Sequence, residues 1–418
     1  MTIRSSSLDA VVAALEPGMT VFVPGVSGES LAFFSALAAA PDKAAGVRFL
    51  GVHFPGINKN DYTALHPQAR LRGYFMQPHL RAPIRDGRVE IIPTDYAGVL
   101  KDLARQQIDL VIAQVSLPDH NGMMSLGVSH DFLPAIWQRA KRRVAHVNSA
   151  MPATRGSSQL HFDDCDLLCE ATSPLVEFDG GTPSADLFQL GCNVAELIRD
   201  GDTLQFGIGK IQSAILRALS GHRHLRVWSG MVCADVLGLL DSGVIAGDAV
   251  IEAGVALGDA SFYERLGYNS SFFFRPASET HDVRRIALIP NFVSINAALE
   301  VDLLGQVNSE ALDGRLVAGV GGMPAFAQGA QLSAGGRLII CLAATAARGQ
   351  VSRIVPRLGP GSLVALPRYA ADTVVTEYGI ARLEGLGTDA RAERLLDISA
   401  PKFRAELAAQ WRDIRERL

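Results

Sequence analysis

The stretch "LRVWSGMVCADVLGLLDSGVI", Leu225 to Ile245, has the pattern of a short apolar strand, a tight corner at Ser229-Gly230 and an amphipathic helix stopped by Gly243. Strand-to-helix corners are where α/β enzymes often present a reacting side chain, yet this one holds a glycine. Its neighbour Ser229 has no evident base to activate the hydroxyl. Other residues have types suited to chemistry. "LQFGIGKIQSAILRAL" ends a β-like run in Gly207-Ile208-Gly209 and then opens a helix. Glycines there let a ligand approach the backbone, and the helix start offers N–H groups to an anion or carbonyl oxygen; a plain strand–helix turn needs the same residues. "VAGVGGMPAFAQGA" clusters Gly319, Gly321 and Gly322 just before Met323, a pattern able to form a nest of N–H groups toward an oxyanion. "VFVPGVSGESLAFFSAL" sets Glu29 at a helix start, where a carboxylate complements the helix dipole. His53, after the apolar run "LGVHF", is either a structural imidazole or a general acid–base facing a cleft. "PDHNG", with Asp119 and His120 and followed by His130 and Asp131, has turn chemistry first. The P-loop, G-x-S-x-G and H-E-x-x-H patterns are missing from the sequence.

The elements that must position these residues are legible as alternating patterns. Apolar β-rich runs recur as "MTVFVPG", "VRFLGVHF", "VEIIPTD", "IDLVIAQVS", "RVAHVNS" and "DLLCEA", with helical patterns such as "SLAFFSALAAA" and "FLPAIWQRAKR" between them. The second half repeats the style in "DTLQFGIG", "RVWSG", "VRRIALIP", "GRLIICLAA", "SLVALP" and "TVVTEYG". Buried strands alternating with helices predict open, largely parallel α/β sheets. The turn-rich segment "VEFDGGTPSADL" marks a boundary, giving two α/β domains over residues 1–185 and 186–418 with a ligand cleft between them.

Composition narrows the function classes. A chain of 418 residues with 48% hydrophobic and 20% charged residues has the make-up of a water-soluble globular protein with large cores. The net charge of −4, without long charged runs, argues against nucleic acid or an anionic membrane as partner. No signal-peptide core or apolar run of membrane-spanning length is present, so a cytoplasmic location is expected. The five cysteines Cys165, Cys169, Cys192, Cys233 and Cys341 are odd in number and scattered, which suits a reducing compartment and offers no complete zinc-ligand set. No metal is expected.

In order along the chain, "QVSLPDHNGMMSLGVS", "DTLQFGIGKIQSAIL", "NFVSINAALEVDLLGQVNSE", "GVGGMPAFAQGAQLSAGGRLII", "SRIVPRL", "VVTEYGIARLEG" and "RAERLL" resemble the acetyl-CoA hydrolase/transferase branch of the family I CoA-transferases, which includes 4-hydroxybutyrate CoA-transferase-like enzymes. The resemblance runs from about Phe22 to Leu407, nearly the whole chain. It implies two α/β domains on one chain with the site between them, acyl-CoA thioesters as substrates, and a homodimer or higher homo-oligomer. It also implies a glutamate nucleophile, set in a stretch like "HSEM", that carries CoA as a glutamyl thioester. Here that stretch reads "WSGM", so the glutamate position is Gly230. The family's "GGQ" loop is Gly321-Gly322-Met323. Glycine cannot form the covalent intermediate. Three functions follow: hydrolysis of an acyl-CoA thioester, or of a carbon–carbon bond in a β-keto or cyclic acyl-CoA, without that intermediate; CoA transfer through another nucleophile; or acyl-CoA binding without catalysis. For the first, Glu29 and His53 are the candidate bases. Gly207, Gly209, Ser229, Gly230, Gly319, Gly321, Gly322 and Met323 are the candidate substrate-binding residues.

Overall fold

The computed structural model describes residues 4–418; Met1 to Ile3, at the start of the expected 1–185 domain, lie outside them. The chain forms two compact units. The first runs to Asp179 and takes in Val250–Thr280 and Val317–Gly321. The second comprises Gly180–Ala249, His281–Leu316 and Gly322–Leu418.

In the first unit, the six expected apolar runs become strands of one sheet, joined by two that were not expected, Arg4–Ser6 and Arg70–Gly73. The strand order is Arg4–Ser6, Leu167–Glu170, Arg142–Val147, Leu110–Val115, Thr20–Phe22, Arg48–Leu50, Arg70–Gly73 and Val89–Ile91, with every neighbouring pair parallel. Leu110–Val115 is buried at every position, as a central parallel strand covered on both faces must be. "SLAFFSALAAA" gives helix Leu31–Ala39, started by Ser30, whose hydroxyl accepts the Phe33 N–H at 3.0 Å. "FLPAIWQRAKR" keeps only the short helix Leu133–Trp137.

In the second unit, strands Arg226–Cys233, Thr203–Phe206, Phe292–Ala297, Arg337–Cys341 and Thr373–Thr376 are parallel neighbours in that order, and Gly379–Arg382 returns antiparallel at the edge. Two expected strands are absent from the described residues. "VRRIALIP" is instead the helix Val283–Ala287, because Asp282 accepts the Arg284 N–H at 3.0 Å and Ile286 turns inward while Arg284 and Arg285 face outward. "SLVALP" is irregular: Leu363 and Val364 are exposed, and only Leu366 makes an isolated bridge, to Val307.

The corner expected at Ser229-Gly230 is also displaced. The strand continues through Cys233, and the helix is Asp235–Asp241. Gly230 is extended strand and is not among the positive-φ glycines, so no turn requires it. Cys233 therefore ends the strand, and Asp235 opens the helix.

Candidate active site

Space at position 230 is limited by a neighbouring ring. A Cβ there would fall 2.8 Å from Cε1 and 2.9 Å from Nε2 of His281, and 3.4 Å from the ring of Phe326. The same imidazole lies against a second glycine. A Cβ on Gly322 would meet Cδ2 of His281 at 2.6 Å and Nε2 closer still. The structure thus brings together Gly230 and Gly322, and the residue between them is one that sequence reasoning passed over. His281 is 8% exposed, with its ring 4.5 Å from that of Phe326 at 50°. Phe326 in turn packs with Trp228, Ile286, Phe292 and Ala330. A histidine in "SETHDV" carries no signal of this kind in sequence; only the paired glycines reveal it.

The side chains flanking Gly230 on its own strand are committed elsewhere. The buried Ser229 hydroxyl points at two main-chain carbonyls, Phe206 O and Met231 O, each at 2.8 Å. Burial, and after it the Asp235 carboxylate, push the Cys233 thiol up to about 12, so it is protonated near neutral pH. Asp235 pairs with Arg217 at 3.2 Å.

The glycine-rich loop divides its roles. Gly319 lies so close to the Tyr74 carbonyl that a side chain has no room, and Ala318 O accepts the Met76 N–H at 3.2 Å. Gly321 takes φ +64° beside Phe75. Gly322 precedes helix Met323–Leu332, whose start has no side-chain cap. Met323 is 7% exposed and belongs to the apolar core of the second unit. Gly207 and Gly209 form the turn between Thr203–Phe206 and helix Lys210–Ala218. There Gly209 adopts φ +97° with open space around it, so the backbone conformation alone selects glycine.

Glu29 and His53 meet within the first unit. Glu29 is 1% exposed, and its carboxylate accepts from Asn58 Nδ2 at 2.8 Å, Asn60 Nδ2 at 2.9 Å and the Tyr62 hydroxyl at 3.1 Å. It directly precedes the N-cap of the helix, and these three donors compensate its burial. His53 stacks on Tyr62 at 5.6 Å, and burial lowers its pKa against the opposing pull of Glu29. Its Nε2 is buried without a hydrogen-bond partner. Among the described residues, no group of His, Cys, Asp and Glu is arranged to hold a metal ion, and no helix is long and apolar enough to cross a membrane.

This arrangement of parallel α/β units has known counterparts. The family profile for the acetyl-CoA hydrolase/transferase N-terminal domain matches residues 5–177, and that for the C-terminal domain matches residues 258–411. The chain belongs to the acetyl-CoA hydrolase/transferase family. It is 35% identical to the 4-hydroxybutyrate coenzyme A transferase of Clostridium kluyveri, over 97% of this chain and 96% of that one. It is 25% identical to the acetyl-CoA hydrolase of Neurospora crassa, over 84% and 75% of the two chains. RipA from Yersinia pestis superposes with a TM-score of 0.91 at 27% identity, covering 99% of this chain and 98% of that one.

Proposed function

We propose that this family member is an acyl-CoA hydrolase that works without a glutamyl intermediate, cleaving the thioester or a carbon–carbon bond in a β-keto or cyclic acyl-CoA. The observation that carries the reading is the surroundings of position 230, taken as the place of the family nucleophile. Gly230 supplies no carboxylate, the Cys233 thiol is held protonated, Asp235 is paired with Arg217, and the Ser229 hydroxyl faces main-chain carbonyls. Without a ready covalent nucleophile, water is the acyl acceptor that remains. The family contains both activities by name, a transferase in the relative from C. kluyveri and a hydrolase in that from N. crassa. In this proposal Gly207, Gly209, Gly319, Gly321 and Gly322 let CoA and the developing oxyanion approach the backbone, with Gly230 on the acyl side, while Ser229 and Met323 act only as the packing behind it. The protein acts in the cytoplasm as a homo-oligomer.

Hydrolysis needs a base for water. Glu29 and His53 are one candidate pair. The Glu29 carboxylate already accepts three hydrogen bonds, whereas Nε2 of His53 is engaged by none, so His53 is the better placed of the two. A panel of acyl-CoAs incubated with acetate tests the function. Free CoA should accumulate with no acetyl-CoA and no enzyme-bound CoA adduct by mass spectrometry. Rapid exchange of CoA onto acetate would establish transfer through another nucleophile. Tight thioester binding without turnover would establish a binding protein.

A further inference from the structure

We propose that Gln212 is a catalytic residue of this enzyme, its side-chain amide donating a hydrogen bond to the carbonyl oxygen of an acyl-CoA thioester as that oxygen gains negative charge; the assignment rests on the hydrolase reading above. Gln212 is the third residue of helix Lys210–Ala218, which starts from Gly209 without a side-chain cap. A glutamine at that position commonly folds back onto the N–H of the N-cap. This one does not. It is 2% exposed, and its amide has no hydrogen-bond partner among the described residues. Both amide atoms keep contact with solvent, whereas the Ser213 hydroxyl, one residue on, is sealed without a partner. The amide is turned toward Gly207. A Cβ on Gly207 would have Nε2 of Gln212 as its nearest neighbour, at 3.5 Å, an ordinary contact distance, so a ligand atom fits beside the donor. Next to it, Gly209 faces open space, and both glycines are only half-buried.

Gly207 stands next to position 230, taken above as the place of reaction. Strands Thr203–Phe206 and Arg226–Cys233 pair in parallel with Leu204 opposite Val227, and two residues further on the Ser229 hydroxyl donates to Phe206 O at 2.8 Å. Gly207 and Gly230, the residues that follow, are therefore neighbours, and their side-chain directions share one face of the sheet. The helix start adds to the field at this turn. The first amide of the helix to find an acceptor is that of Ser213, which reaches Gly209 O at 2.9 Å, and the unpaired N–H groups ahead of it favour negative charge. The step needs no co-reactant beyond water. The water oxygen bonds to the thioester carbon, and the C=O pair shifts onto the oxygen that Gln212 holds. Collapse re-forms the carbonyl and breaks the C–S bond. The proton released by the water ends on the departing thiolate, leaving a carboxylic acid and free CoA. Gln212 keeps its own protons and forms no covalent bond.

The test measures CoA release by full-length wild type, Gln212→Leu and Gln212→Glu, using the best thioester of the panel, together with CoA binding by calorimetry and folding by circular dichroism. Both variants should lose roughly a hundredfold in kcat, with KM and the Kd for CoA within about threefold of wild type. Gln212→Glu adds a signature that a merely structural residue would not give. An ionised carboxylate cannot donate a hydrogen bond, whereas a protonated one can. The rate of Gln212→Glu relative to Gln212→Leu should therefore rise as pH falls through the titration of the new carboxyl. Gln212→Leu retaining kcat within about threefold of wild type overturns the proposal. So does a loss confined to KM or to CoA binding, or a ratio between the two variants that is flat in pH. Should Gln212→Leu fail to fold, the near-isosteric Gln212→Glu decides on the same kcat criterion. A wild type that releases no CoA from any thioester overturns the hydrolase reading itself and this assignment with it.

Discussion

At Glu29 the three donors fix more than a charge. Asn58 cannot rotate its amide, because its Oδ1 already accepts the N–H groups of Val26 at 2.9 Å and Phe54 at 3.0 Å. Glu29→Gln would then retain an acceptor for Asn60 and Tyr62 but set its own NH2 against that of Asn58. Loss of this hydrogen bond to a buried charged acceptor should lower stability by about 1–3 kcal/mol in denaturant unfolding, independently of any role in turnover. A second buried carboxyl offers a pH signature. Burial pushes the Asp131 carboxyl up to about 7, in a backbone with φ +30°. The folded state therefore keeps a proton that the unfolded chain releases from about pH 4 upward, so the contribution of Asp131 to stability falls between about pH 4 and pH 7 and is level above that. Asn tolerates positive φ and carries no charge. Asp131→Asn should gain in Tm relative to wild type as pH rises through that window, with the difference vanishing near pH 4. The neighbouring His130 is held neutral, its pKa lowered to about 3 by burial, and contributes in both proteins alike.

Among the elements, the turn from Thr203–Phe206 into helix Lys210–Ala218 isolates a pure backbone effect. A Cβ at Gly209 meets nothing within 4 Å, so Gly209→Ala is opposed only by φ +97°. The expected cost is about 1–3 kcal/mol, read as a lower urea midpoint at unchanged slope. The same scale shows where periodicity misleads. "VRRIALIP" reads as an apolar strand by composition, but the Asp282 cap turns it into a helix with one buried face. "WSGM" reads as a corner because serine and glycine favour turns, but the strand runs on to Cys233. In both places composition was ambiguous; at Val283 the adjacent cap decides the outcome, and at Gly230 the strand's continuation does.

For the whole molecule, the pairing of Gly230 with His281 predicts coupling between substitutions far apart in the chain. Gly230→Glu alone forces a side chain onto a ring hemmed in by Gly322 and Phe326. Overpacking of this kind typically costs about 1–3 kcal/mol, so the single variant should melt lower and gain no transferase activity. Combined with His281→Ala, the glutamate has room. The double variant should recover stability relative to Gly230→Glu, a non-additive result in a double-mutant cycle, and should acquire exchange of CoA onto acetate. The sequence by itself determined the class of fold, the family and the absence of a carboxylate at position 230. These rest on strand and helix periodicity and on residue identity, which are local properties of the chain. Only the tertiary structure decided what stands in that space. It showed that Met323 belongs to a core and that Glu29 is held by Asn58, Asn60 and Tyr62. It also showed that an imidazole lies against Gly230. A glycine in sequence reports only a missing side chain; which neighbour uses the space depends on contacts that the backbone establishes once it has folded.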